Sequence, residues 1–123
     1  MSPISRTTHN IGQITELFAR QYLQDQGLSF IAANVRYKFG EIDLIMREQS
    51  TITFVEVKYR NRNDYGGALY SLHSAKQRRL QKAANAWLQS HDPSGRHPTR
   101  FDLVALSGSL QRLQCQWLKN IMQ

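Results

Sequence analysis

Apolar residues recur at spacings of three and four between His9 and Gln26, so Ile11, Ile14, Phe18 and Tyr22 would line one face of a helix. Gly27 is a natural stop. Phe30 to Tyr37 then reads as a strand. Glu41 to Arg47 and Ile52 to Arg60 are the clearest strands, rich in β-branched and aromatic residues. Asn61 to Gly67 has turn chemistry, and Tyr65-Gly66-Gly67 reads as a flexible loop able to order over a substrate or merely to connect. A second helix spans Ser74 to His91, with Leu80, Ala83, Ala84, Trp87 and Leu88 as its buried stripe. Asp92 to Pro98 breaks it. Phe101 to Leu106 and Leu113 to Leu118 complete the set as strands around a turn at Ser107 to Ser109. The order α-β-β-β-α-β-β predicts an α/β fold, a mixed sheet with helices packed on it.

Pairing the two best strands brings chemistry into view. Glu41, Asp43 and Ile45 share one face of the first, and Ile52, Phe54, Glu56 and Lys58 one face of the second. A four-residue connection from Glu48 to Thr51 pairs Ile45 with Phe54, Asp43 with Glu56, and Glu41 with Lys58. A one-residue slip would scramble both faces. Directly opposed side chains stand about 4.5–5.5 Å apart at Cβ, where like charges destabilise. Asp43 facing Glu56 therefore calls for a cation. Mg²⁺ (or Mn²⁺) suits the pair, because Mg²⁺ binds through one or two carboxylates, retained waters and phosphate. Such an ion would polarise a phosphate and lower the pKa of a bound water. Lys58, two residues beyond Glu56, would stabilise developing charge or orient the nucleophile. The plainer alternative is a solvated strand end, with Glu41 paired to Lys58. Glu16 sits beside Gly12, Ala19 and Leu23 on the helical wheel and could reach the Asp43/Glu56 pair, or simply pair with Arg20 at i+4.

Composition sharpens this. A chain of 123 residues with 41% hydrophobic content builds one domain. Met1 to Thr8 reads as a polar mobile tail, leaving residues 9–123 as that domain. The single cysteine, Cys115, forms no internal disulfide and reads as core. No apolar run approaches the roughly 20 residues that span a bilayer, and the N-terminus lacks a signal core. Both features point to a cytoplasmic protein. The formal charge of +7 favours an anionic partner such as nucleic acid. Arg36, Lys38, Arg60, Arg62, Lys76, Arg78 and Arg79 surround the acids and would contact phosphates by shape rather than sequence. For the helix cluster a solvated face is the competing reading. His9, His73, His91 and His97 show no metal-ligand spacing and read as surface residues. Asp102 reads as an anchor for a turn or a partner for a nearby arginine. Trp117 is core or a dimer contact.

The runs Gly40-Glu41-Ile42-Asp43-Leu44-Ile45 and Phe54-Val55-Glu56-Val57-Lys58-Tyr59-Arg60 resemble the YraN-like family of small bacterial proteins. So do the helix bearing Gly12, Glu16, Ala19, Tyr22 and Leu23, the segment from Lys76, and Arg100-Phe101-Asp102-Leu103-Val104-Ala105. That family is similar to the restriction-endonuclease-like superfamily, and within it to archaeal Holliday-junction resolvases. The resemblance implies a central mixed sheet flanked by helices and a D…(D/E)-x-K site. Asp43 and Glu56 match its metal-binding acids, Lys58 its catalytic lysine, and Glu16 its helical glutamate. The ending Gln116-Trp117-Leu118-Lys119-Asn120 departs from the family's histidine-bearing terminus. The expected function is a divalent-metal-dependent nuclease acting on DNA, with branched or structured DNA and a homodimer as the narrower expectation. The alternative is a non-catalytic nucleic-acid-binding module on the same fold.

Overall fold

The computed structural model describes residues 11–61 and 74–122. The predicted tail, His9, Arg62, His73 and the Tyr65-Gly66-Gly67 segment lie outside the described residues. The elements run α1 (Ile11–Asp25), β1 (Ser29–Tyr37), β2 (Gly40–Glu48), β3 (Thr51–Arg60), α2 (Ser74–His91), β4 (Thr99–Ser107) and β5 (Gln114–Leu118). The five strands form one sheet in sequence order. Every neighbouring pair is antiparallel except β3 and β4, which run parallel. A parallel pair needs a crossover connection, and α2 lies within it. The result is an α/β fold, a mixed sheet with a helix against each face, consistent with a restriction-endonuclease-like domain.

Each face of the sheet has its own core. On one, Leu80, Ala83, Ala84 and Trp87 of α2 cover Ile42, Ile45, Ile52 and Phe54. On the other, Ala19 and Leu23 of α1 cover Leu44, Met46, Val55, Val104 and Leu106. Gly27 ends α1 with a φ of 102°. The Leu28 N–H then reaches the Leu23 carbonyl, and the Gly27 N–H the Gln24 carbonyl, both at 3.0 Å. This is a Schellman cap, and it tucks Leu28 against Leu23 in the same core.

The inward face of α1 is the margin beside Glu16 that carries Ala19 and Leu23, rather than the stripe of large apolar residues. Thr15, Ala19 and Leu23 are buried. Ile11, Ile14 and Phe18 keep 47%, 37% and 37% of their surface exposed, and Tyr22 is only half-buried. Small side chains at 15 and 19 let the helix approach the sheet. The Thr15 hydroxyl is satisfied within the helix by the Ile11 and Gly12 carbonyls, at 3.0 Å each, so its burial leaves no polar group unpaired.

Asp102 anchors the far edge, as its setting at the start of a strand suggests. It is fully buried and accepts from Arg100 Nε (3.0 Å), Trp117 Nε1 (3.0 Å) and the Asn120 N–H (2.9 Å). Arg100 also pairs with Glu48 at 2.7 Å, tying β2 to β4. Trp117 packs in the α1-side core, edge-on to Tyr22. The C-terminal segment thus clamps a buried carboxylate. His91 stacks on Trp87, and His97 pairs with Asp92 at 3.2 Å. Among the described residues, no helix is long and apolar enough to cross a membrane.

Candidate functional site

The β2–β3 hairpin has the predicted register, with Ile45 opposite Phe54 and Leu44 opposite Val55. It closes through Glu48 and Thr51, so only Gln49 and Ser50 form the turn, with Gln49 at a φ of 54°. Beyond Leu44 and Val55 the paired ladder stops, and Asp43 supplies the next contact itself. Its Oδ2 accepts the Val57 N–H at 2.8 Å. A side chain thus takes the place of a backbone partner where the strands part.

Strict alternation also breaks here, contrary to the sequence expectation. Ile42 and Ile45 both face α2, whereas Leu44 faces α1. On β1, Ala32 and Val35 face α2 and Ala33 faces α1. Val35 pairs with Ile42 and Ala33 with Leu44, so Asn34 and Asp43 fall opposite each other where the alternation of faces breaks. Asn34 has a φ of 53°, a left-handed conformation that asparagine tolerates better than most residues. Its side-chain amide donates to Glu16 Oε1 at 2.8 Å. One correlated kink therefore aims Asp43 at the site and fastens α1 beside it.

Asp43 and Glu56 come together as expected. Glu56 is buried, with 5% of its surface exposed, and Asp43 is half-buried. Burial first, then the neighbouring Glu56 charge, push the Asp43 carboxyl up to about 7, against the pull of the Val57 N–H. Two ammonium groups answer the acids. Lys76 Nζ lies 2.6 Å from Glu56 Oε2 and Lys58 Nζ 3.4 Å from it. Burial and the adjacent Lys76 charge lower the Lys58 pKa. For Lys76 burial acts in the same direction, but the bond to Glu56 and its companions outweigh it and raise the pKa.

These groups line a cleft of about 560 Å³ under the first turns of α2. Arg36, Lys38 and Arg79 line it too. Gly40 lets α2 come this close. A Cβ there would stand 2.6 Å from the Arg79 carbonyl oxygen. On the α1 side a second cleft of about 460 Å³ holds Glu16, with Asp43 in the wall of both. Glu16 thus reaches the flank of the acidic pair, held by Asn34.

Other expectations need correction. Glu41 does not face Lys58; it lies opposite Arg36 across β1 and β2 and pairs with it at 3.0 Å. Arg78 and Arg60 are exposed and line neither cleft. Lys76, grouped by sequence with phosphate-binding residues, sits on the acids themselves. Phe39 escaped sequence reasoning. It is 41% exposed in the β1–β2 turn, stacked on Tyr37 and part of the cleft wall. The only available signal was a large aromatic between Lys38 and Gly40, at a connection that runs over the surface.

The carboxylate pair fits a divalent ion in part. Two acids crowded enough to raise a proton affinity suit Mg²⁺, which completes its shell with water and phosphate. Among the described residues, no three His, Cys, Asp or Glu side chains gather to hold a metal by themselves.

Comparison with known proteins places the whole arrangement inside a matched region. The model of an uncharacterised protein family, UPF0102, matches residues 15–106, which include Glu16, Asp43, Glu56, Lys58 and Lys76. A UPF0102 protein of Pseudomonas putida is 49% identical over 113 residues, covering 91% of this chain and 92% of its own. One of Shewanella oneidensis is 49% identical over 108 residues, covering 88% and 94%. One of Shewanella frigidimarina is 51% identical over 98 residues, covering 80% and 89%.

Proposed function

The chain belongs to the uncharacterised protein family UPF0102, and from that premise we propose that it is a divalent-metal-dependent nuclease that hydrolyses DNA phosphodiester bonds, with branched or otherwise structured DNA as its substrate. One observation carries the reading. A carboxylate pair, half-buried Asp43 and buried Glu56, shares a cleft with Lys58 and with a cationic rim. The set matches the D…(D/E)-x-K pattern that the YraN-like resemblance implies for the restriction-endonuclease-like superfamily. Asp43 and Glu56 would hold Mg²⁺ or Mn²⁺, which supplies a polarised phosphate and a more acidic bound water.

The chain's own residues do the rest. Arg79, Lys38 and Arg36 at the rim draw a phosphodiester into the cleft by counterion release. Lys58 stands beside Glu56, where its ammonium offsets the negative charge that builds on the phosphoryl oxygens. Its lowered pKa also makes it the readier of the two lysines to give up a proton. Asp43, fixed by the Val57 N–H, keeps one oxygen directed by the backbone. Glu16 flanks the pair from α1. Paired cuts in a branched substrate would need two copies related by a twofold axis. Such a substrate places the working protein in the bacterial cytoplasm.

A second reading has an observation of its own. Lys76 Nζ, at 2.6 Å from Glu56, already supplies a cation to the acids. That favours a non-catalytic nucleic-acid-binding module on the same fold.

Calorimetry with Mg²⁺ and Mn²⁺, with and without DNA, separates the two readings. The nuclease reading expects binding to the wild type that disappears in the folded Asp43→Ala/Glu56→Ala double variant, together with metal-dependent cleavage of branched, flapped or single-stranded DNA. Absence of metal binding even with DNA present would leave the non-catalytic module.

A further inference from the structure

The β1–β2 connection is two residues long, Lys38 and Phe39, closed by the pair Tyr37 and Gly40. Neither residue takes a positive φ, so the turn makes no demand for glycine, asparagine or aspartate at either position. Phe39 contributes nothing to the turn's backbone that a small polar residue would not. Its ring is 41% exposed and lies parallel to that of Tyr37, 2° apart in plane with centroids at 5.6 Å. Tyr37 is itself half-buried against the α2-side core, so it braces the outer ring from behind. Six large hydrophobic side chains are exposed among the described residues, and Phe39 alone of them lines the cleft that holds Asp43, Glu56 and Lys58. Lys38 and Arg79 line the same cleft.

A rigid aromatic face beside cations that track a backbone is the chemistry of unpaired bases. In a continuous duplex each base has both faces covered by its neighbours, so Phe39 would find nothing to stack on. We propose that Phe39 is a stacking platform for an unpaired base, and that the ligand of this cleft is nucleic acid with a single-stranded segment. This rests on the nucleic-acid reading above and narrows its substrate class. The base stacks on the outer face of Phe39, its phosphates meet Lys38 and Arg79, and the strand continues toward the acids.

The test is fluorescence anisotropy with the full chain in EDTA, titrated against a labelled oligothymidylate and a duplex of equal length. Wild type is expected to bind the single strand more tightly than the duplex. Phe39→Ala, with folding checked by circular dichroism, is expected to lose about five- to a hundred-fold in affinity for the single strand. Its duplex binding should move by less than about twofold, and Phe39→Trp should retain single-strand binding. If Phe39→Ala unfolds, Phe39→Leu replaces it with the same expectation, since leucine keeps apolar bulk without an aromatic face. An unchanged single-strand affinity, an equal loss on both ligands, a loss in Phe39→Trp as well, or a wild type without single-strand preference overturns the proposal. Metal is absent throughout, so the result does not depend on cleavage. Phe39-dependent binding without metal-dependent cleavage would sink the enzyme and keep the platform. Cleavage of continuous duplex with no effect of Phe39 would do the reverse.

Discussion

Gly40 shows how one missing side chain sets the geometry of the site. Its φ is not in the left-handed region, so conformational freedom is not what the position needs. Space is. A Cβ would meet the Arg79 carbonyl oxygen at 2.6 Å and its carbon at 3.1 Å, both backbone atoms of α2 that cannot swing aside. The same helical segment carries Lys76 to Glu56 and Arg79 to the cleft wall. Gly40→Ala must therefore push the start of α2 away from the hairpin, and overpacking of this kind costs about 1–3 kcal/mol. Urea denaturation should show that loss. The shift should also carry Arg79 away from the cleft wall, so single-strand affinity should fall together with stability. A Gly40→Ala protein with unaltered stability would mean that α2 does not rest on the hairpin as described. Gly40 was quoted in the sequence as part of a motif, but its function is a contact with a residue thirty-nine positions later, which no local pattern encodes.

At the scale of elements, the strands and α2 were legible because their signals are local. β-branched alternation, the stop at Gly27 and the stripe Leu80, Ala83, Ala84 and Trp87 each depend on near neighbours in sequence. The β2–β3 register was legible for a related reason, since only one pairing matches apolar to apolar. Two features were less so. The break of period two at Asn34 and Asp43 falls on two paired strands at once, with Asn34 left-handed. The orientation of α1 was legible only through the small residues beside Glu16, because periodicity rewards large apolar residues, whereas close approach to the sheet rewards small ones. The two orientations differ in what substitution does. Ala19 is fully buried and Ile14 is 37% exposed. Ala19→Leu should overpack the α1-side core and cost about 1–3 kcal/mol. Ile14→Ser should stay within about 0.5 kcal/mol, as surface changes do. Thermal denaturation of the two variants checks this, and the reverse ranking would restore the orientation that periodicity predicts.

For the whole molecule the formal charge of +7 says that an anion is favoured, but not where it goes. The fold sorts the cations. Arg36 is paired with Glu41, Arg100 with Glu48 and Asp102, and Lys58 and Lys76 with Glu56. Lys38 and Arg79 line the cleft with no ion pair to an acid among the described residues, and Arg78 is exposed outside it. Counterion release distinguishes these groups, because each phosphate contact on a single strand contributes about 0.7 to the slope of log K against log salt. Lys38→Ala and Arg79→Ala should each flatten the slope for oligothymidylate by about 0.7. Arg78→Ala should leave it unchanged, although it removes the same formal charge. Anisotropy titrations across a range of salt concentrations read this directly. Equal flattening by all three substitutions would mean that binding follows net charge alone, and that the cleft holding Asp43 and Glu56 does not direct the strand.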